Sequence, residues 1–307
     1  MSTHWSARSS AKTNKEIASS ERTQATLSAV LRFEGVGLHT GKHATIEVRP
    51  AKVDSGIVFR LVSVAGAGMP VIVPATAENV IDTARATVIG RDGASVSTTE
   101  HLLSALFAMG VTNAEIHVDG PEIPARDGSA KEFVEAIDAA GIETQGRPCL
   151  TFVPDQPFAI QEVDRMVAVF PAPAFRVRFL ADFAAPIGTQ YFDGEIEADG
   201  YRRDIAGART FGYLHEVEAL RARGLALGGT LENALVFAPD GPMQPLRWQN
   251  EVVRHKVLDL IGDLALLGAW PQCEVVAIKS GHDLHARVTS ALRARLPVPS
   301  THHTVKR

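Results

Sequence analysis

Between Asn250 and Leu264 the chain carries apolar residues at three- and four-residue steps: Val253, Val257, Leu260, Ile261 and Leu264. That period marks a helix with one face in a core, and the rest of the sequence must supply the elements that cover it. On another face His255, Asp259 and Asp263 recur at intervals of four. Residues four apart stand one turn above the other, about 6 Å along the axis. An imidazole and a carboxylate stacked in this way can reach one divalent ion, and a borderline-soft ion such as zinc accepts both. Lys256, one step round the helix, could hold an anionic group beside that ion. As a bare pattern, such a pair is more often a surface ion pair. The apolar setting weighs against that reading, because unpaired charge is costly where water is scarce.

With 307 residues, the chain is long enough for two ordinary domains. Hydrophobic residues make up 45% and charged residues 21%, which excludes a disordered protein and fits a soluble globular one. A formal net charge of -4 gives no basic excess for nucleic acid, so no nucleic-acid partner is expected. No apolar run reaches the length of a membrane span, and the N-terminal segment lacks an apolar signal core. The cysteines, Cys149 and Cys273, are too few for a disulfide framework; with no signal core, this predicts a cytoplasmic protein.

Residues 1–24 are polar and aperiodic and read as a disordered tail, and 297–307 as a second flexible one. Alternation predicts strands through Leu27–Leu31 and Ala44–Val48, then at Val71–Val73, Ala86–Ile89 and Ala114–Val118. The Gly35–Lys42 loop lacks the spacing of a phosphate loop and reads as a tight hairpin, with His39 aimed into a cleft. Ser97 and Glu100 form a capping-box pattern opening a helix, and Ser129 with Glu132 another running to about Ala140. On pattern alone Glu100 needs no role beyond that cap. Gly141–Pro148 reads as a linker. Strands follow at Leu150–Val153, Met166–Phe170 and Phe175–Leu180, then a polar stretch to Gly207 and a helix over Leu214–Arg223. Beyond Ala234–Phe237 and the opening helix come a strand at Glu274–Ile278 and a last helix from Asp283 to about Leu296. The fold class is α+β: two related α+β domains, 25–146 and 147–296, each with strands first and a helix pair later.

A catalytic zinc takes three protein ligands and leaves one position open. His255 and Asp259 supply two, and His101, in the first turn of its helix, is the best third. Glu100 then stands as general base, and a protonated His282 as the group assisting the oxyanion or leaving group. His285, one turn on, reads as an exposed residue. No Gly-x-Ser-x-Gly elbow or evident nucleophilic cysteine is present, which favours attack by water.

The chain from about Thr26 to Leu296 closely resembles the UDP-3-O-acyl-N-acetylglucosamine deacetylases, zinc amidases of the lipid A pathway. Six blocks carry the resemblance in order: Gly35–Gly41, Ser97–His101, Glu122–Ser129, Ala208–Gly212, Val253–Asp259 and Lys279–His282. The resemblance implies an active site between the two domains, with His101, His255 and Asp259 as ligands of Zn2+, Fe2+ being compatible in its place, and Glu100 as the base acting on water. It implies His282 as the cationic partner, oriented by Asp263, Thr210 as a donor to the oxyanion, and Lys256 as a substrate contact. A segment over 211–236 would form an acyl passage lined by Phe211, Val217, Gly229 and Ala234. The substrate implied is a nucleotide-linked acylated amino sugar, cleaved at its 2-acetamido group to a free amine and acetate by a monomeric enzyme. The chain departs from the resembled pattern at Asn250, Val252, Ala185, Glu216 and His285. Alternatives are a zinc amidase acting on another acylated amino sugar, or a weakly active relative that binds ligand.

Overall fold

A computed structural model of the protein describes residues 22–62 and 69–296. In chain order the first part holds β1 (Thr23–Leu27), β2 (Leu31–Val36), β3 (His43–Pro50), β4 (Ile57–Leu61), β5 (Val71–Pro74), β6 (Val80–Asp82), β7 (Val88–Arg91) and β8 (Ala94–Val96). Helix α1 (Glu100–Ala108), β9 (Ala114–Asp119), α2 (Lys131–Ala140) and β10 (Ile142–Pro148) follow. The second part holds β11 (Thr151–Phe152), β12 (Phe158–Gln161), β13 (Met166–Pro171), β14 (Arg176–Asp182), β15 (Thr189–Glu195), α3 (Ala198–Asp204), β16 (Phe211–Tyr213) and α4 (Val217–Ala222). It closes with β17 (Leu235–Ala238), β18 (Gly241–Pro242), α5 (Glu251–Ala265), β19 (Trp270–Pro271), β20 (Cys273–Ile278) and α6 (His282–Arg293).

The α+β class holds. Two five-stranded sheets, ordered β2-β3-β9-β4-β5 and β12-β13-β20-β14-β15, share one topology. In each the pair at the centre of the order is followed by a parallel partner, β4 on β9 and β14 on β20, while the other pairings are antiparallel. Alternation gives each sheet one buried face: Ala44, Ile46 and Val48 on β3, and Val177, Phe179 and Ala181 on β14. Those faces join α1, α5 and α6 in one contiguous apolar cluster. In α1 every residue but Phe107 is buried, and α5 is buried through most of its length, so polar side chains on either helix must find partners inside the protein. Helix α5 approaches α1 closely at Gly262, where an added Cβ would lie 2.1 Å from the Glu100 carbonyl oxygen.

Several expectations need correction. Neither capping box forms. Glu100 is the first residue of α1, too early to reach back to Ser97, and its carboxylate turns to the Thr87 amide. Glu132 pairs with Arg126 rather than closing the start of α2. Gly141–Pro148 is no linker: residues 142–148 form β10, antiparallel to β1, and β1 begins at Thr23, inside the presumed tail. The polar stretch before Gly207 contains β15 and α3. The rest of the first tail and all of 297–307 lie outside the described residues. No helix among the described residues is long and apolar enough to cross a membrane. Cys149 and Cys273 are both free.

Candidate metal and acid–base centre

Two loop-to-helix junctions, one hairpin turn and one helix face build the site. The Gly37–Lys42 turn of the β2–β3 hairpin is tied to the start of α1 through Glu122, a fully buried carboxylate. It accepts from the His39 and Thr40 amides and from the Thr40 and Thr98 hydroxyls. Gly37 makes that approach feasible, because a Cβ there would sit 2.3 Å from Glu122 Oε2. Thr98, bonded to Glu122, has φ of 57°, a left-handed conformation that redirects the chain into α1. Glu100 and His101 therefore enter the interior on the first turn of that helix.

His101, His255 and Asp259, all buried, bring one ligand atom each within 4.8 Å of the others. Asp259 Oδ1 lies 3.3 Å from His255 Nε2 and 3.8 Å from His101 Nε2, and it has no hydrogen-bond partner among the described residues. The two imidazole rings meet edge to face, with centroids 5.0 Å apart. His255 Nδ1 donates to the Ala208 carbonyl at 3.0 Å, which leaves Nε2 as a lone pair facing Asp259. Burial, together with the neighbouring His255, lowers the His101 pKa to about 3, so that ring is neutral. Burial would raise the Asp259 pKa, but His255, Lys256, His282 and His101 pull it well below the usual carboxylate range. Two neutral imidazoles and one ionised carboxylate with an orphaned oxygen form a donor set that fits a divalent ion such as zinc. Lys256 Nζ bonds the other oxygen, Asp259 Oδ2, at 2.7 Å.

Asp263, one turn on, does not join this set. Its Oδ2 takes His282 Nδ1 at 2.8 Å, and Thr87 donates to its Oδ1. The expectation that His285 is exposed fails: its side chain is fully buried, and its Nδ1 also bonds Asp263 Oδ2. Burial would lower the His282 pKa, yet Asp263, seconded by Glu100 and Asp259, holds it up at about 9. Burial pushes the Glu100 pKa up to about 8 against the opposing attraction of His282. Glu100 Oε2 accepts from the Thr87 amide at 3.1 Å, while Oε1 faces His282 Nε2 at 3.8 Å. His282 Nε2, Glu100 Oε1 and Asp259 Oδ2 thus converge on one small volume, since His282 Nε2 is also 3.9 Å from Asp259 Oδ2.

Of the remaining predicted residues, Phe211 packs directly against a member of this centre. Thr210 is held by backbone bonds to Gly128 and Leu235, two positions from the carbonyl that orients His255. Phe211 sets its ring edge to face against Phe183 at 5.1 Å and His255 at 6.2 Å, and packs on a small apolar cluster of Ile187, Tyr213, Leu235, Phe237 and Val252. His39 keeps Nδ1 buried without a partner, and its carbonyl accepts the Leu227 amide, so the segment around Gly229 docks on the His39 turn. Ala234 is half-buried beside β17, its carbonyl taken by Gln244. Val217 opens α4, half-buried and outside both apolar clusters. Sequence reasoning missed Thr87, whose amide and hydroxyl bridge Glu100 and Asp263, and the Ala208 carbonyl. A threonine in a loop and a backbone oxygen carry no sequence signal.

Comparison with known proteins bears on the same residues. Residues 24–294 match the family described as UDP-3-O-acyl N-acetylglycosamine deacetylase. The chain is 44% identical over 275 residues to the UDP-3-O-acyl-N-acetylglucosamine deacetylase of Citrifermentans bemidjiense, covering 89% of each chain. It is 44% identical over 276 residues to the protein of the same name from Phenylobacterium zucineum, covering 89% of this chain and 94% of the relative. The Myxococcus xanthus protein of that name is 42% identical over 272 residues, with 88% and 86% covered.

Proposed function

The chain belongs to the UDP-3-O-acyl N-acetylglycosamine deacetylase family and is a hydrolase removing the 2-acetyl group of UDP-3-O-acyl-N-acetylglucosamine in lipid A biosynthesis; we propose that the buried cluster of His101, His255 and Asp259 holds the metal for that reaction. The observation that carries the assignment is the unpartnered Oδ1 of Asp259, buried and facing the Nε2 atoms of two neutral histidines. A buried carboxylate oxygen with no donor is expensive unless a cation completes it. Zinc is the ion proposed, and ferrous iron suits the same donors. Bound there, such an ion supplies Lewis acidity, making a water more acidic and polarising the amide carbonyl.

Every proton movement then belongs to side chains of this protein. Glu100 takes the proton from the attacking water through Oε1, while the Thr87 amide fixes Oε2 and so the carboxylate's direction. The water oxygen bonds the acetyl carbon, and the carbonyl electrons move onto oxygen, where the Thr210 hydroxyl and the His282 cation stabilise the developing charge. His282 keeps its Nδ1 proton on Asp263 and presents Nε2–H toward the scissile amide. The C–N bond breaks as His282 Nε2–H gives its proton to the nitrogen, leaving acetate and the free amine, with the proton from water held on Glu100. Lys256, already bonded to Asp259, stands where it can meet an anionic part of the substrate. His39 and the 211–236 segment, with Phe211, Val217, Gly229 and Ala234, would line the acyl passage.

The shared strand order of the two sheets supports a reading as two related domains, 25–146 and 147–296, the first extended back to Thr23. Glu100 and His101 come from the first, and His255, Asp259, Asp263 and His282 from the second, so the site would lie between them. We place the protein in the cytoplasm, acting as a monomer. The test is acetate release from UDP-3-O-acyl-N-acetylglucosamine by purified protein, before and after chelation and after zinc is returned. Activity that disappears and comes back supports metal and reaction together. Activity indifferent to thorough metal removal would overturn the metal assignment.

A further inference from the structure

One buried titratable side chain near this centre has no part in the chemistry above. His285 lies one turn along α6 from His282, is fully buried, and donates through Nδ1 to Asp263 Oδ2 at 2.8 Å. That oxygen and that distance are the same as for His282 Nδ1. A carboxylate only accepts, so Nδ1 of His285 carries a proton. Burial lowers the His285 pKa, which keeps the ring neutral and leaves Nε2 an acceptor. The Ser280 hydroxyl, buried and 2.9 Å away, donates to it. The Phe179 ring closes the histidine edge to face at 6.3 Å. Asp263 therefore receives three donors, Thr87 from the loop before β7 and His282 and His285 from the first turn of α6.

We infer that Ser280 and His285 are positioning residues for the reaction: together they hold the Asp263 carboxylate in the one orientation that aims His282 Nε2 at the scissile amide. Without the His285 donor, Asp263 keeps Thr87 on one oxygen and must satisfy Oδ2 with His282 alone. It is then free to turn about its terminal torsion, which is broad for a carboxylate. His282 would follow it, because among the described residues its ring is hydrogen-bonded through Nδ1 alone, to Asp263 at 2.8 Å and more weakly to Thr87 Oγ1 at 3.3 Å. Loss of aim at the reacting centre lowers kcat and leaves binding of the rest of the substrate intact. The inference rests on the reading of His282 as the cationic group at the amide.

Two substitutions of similar size separate the donor from mere packing. In His285→Asn the amide nitrogen takes the place of Nδ1 and retains the bond to Asp263. In His285→Gln it takes the place of Nε2 and retains only Ser280. Acetate release by zinc-loaded protein, with metal content and thermal midpoint measured alongside, should give His285→Gln a kcat about tenfold lower. Its KM should stay within about twofold, and His285→Asn should recover most of the turnover. Ser280→Ala, which frees the tautomer, should fall between. Equal losses in the Asn and Gln variants, or full kcat in the Gln variant, would overturn the inference. His282→Ala is the control for the reading beneath it. If that variant turns over normally, the role of His282 has failed; if it is impaired while His285→Gln is not, only the positioning inference has failed.

Discussion

Two histidine–carboxylate clusters stand side by side on α5, built from the same residue types and equally buried. In one, Asp259 meets His101 and His255; in the other, Asp263 meets His282 and His285. They differ in hydrogen bonding. Around Asp263 the contacts are 2.8 Å, and both histidines present the nitrogen that carries a proton. Around Asp259 the separations are 3.3 and 3.8 Å, both histidines turn Nε2 toward Oδ1, and that oxygen is left without a donor among the described residues. On the reading proposed above, the complete cluster aims a proton and the incomplete one, at the same burial, takes a cation. Composition and spacing alone cannot separate the two.

The largest effect should come from breaking the incomplete cluster. His101→Ala and Asp259→Ala should each lose the metal and lower turnover by on the order of a thousandfold or more, given the several kcal/mol a metal supplies. Metal analysis and acetate release check this together; a variant that keeps a full complement of metal would remove that residue from the ligand set. Next in size is Glu100→Gln, which should keep the metal and lower kcat by about a hundredfold or more. Near-full turnover would leave Glu100 with nothing beyond its bond to Thr87.

Breaking the complete cluster gives a different signature. Asp263→Asn should keep the metal, lower kcat by about tenfold or more, and move the alkaline limb of the rate profile. The sign follows from the charge. His282 works protonated, so its contribution is present below its pKa and lost above it. Asp263 is the main influence holding that pKa at about 9 against burial, so removing its charge moves the loss to lower pH. An alkaline limb that stays in place would detach His282 from the profile.

How much of this was legible in the sequence differs between the same two clusters. The period of Val253, Val257, Leu260 and Ile261 announced α5, and the spacing of His255 and Asp259 announced that their side chains meet, because both signals are local to one helix. Asp263 followed the same spacing yet belongs elsewhere, since α6 brings His282 and His285 to it across 19 and 22 residues. Thr87 is 176 residues from Asp263, and nothing in its neighbourhood marks it. The fold shows the same division. Strands with one buried face, such as β3 and β14, were readable from alternation. β10 is exposed along nearly its whole length and β15 buries only Phe192, so neither carries an apolar rhythm to read. The capping patterns at Glu100 and Glu132 failed because long-range partners, Thr87 and Arg126, outcompeted the local cap.

The smallest expected effect leaves both clusters whole and tests what lies beside them. Phe211 touches His255 only ring to ring at 6.2 Å and otherwise packs on Phe183 and the apolar group around Leu235 and Phe237. Phe211→Leu keeps an apolar surface of smaller area, so it should weaken contact with a long acyl chain by about 1 kcal/mol, a several-fold rise in KM. Turnover should hold within about twofold, because no hydrogen bond of either cluster passes through the ring. A substrate with a truncated acyl chain sharpens the reading: its KM should respond less, since it has less chain to lose. If kcat fell instead while KM held, the ring would be aiming His255 rather than meeting the substrate. Phe211 would then belong with the Ala208 carbonyl, which already fixes that histidine from its other nitrogen.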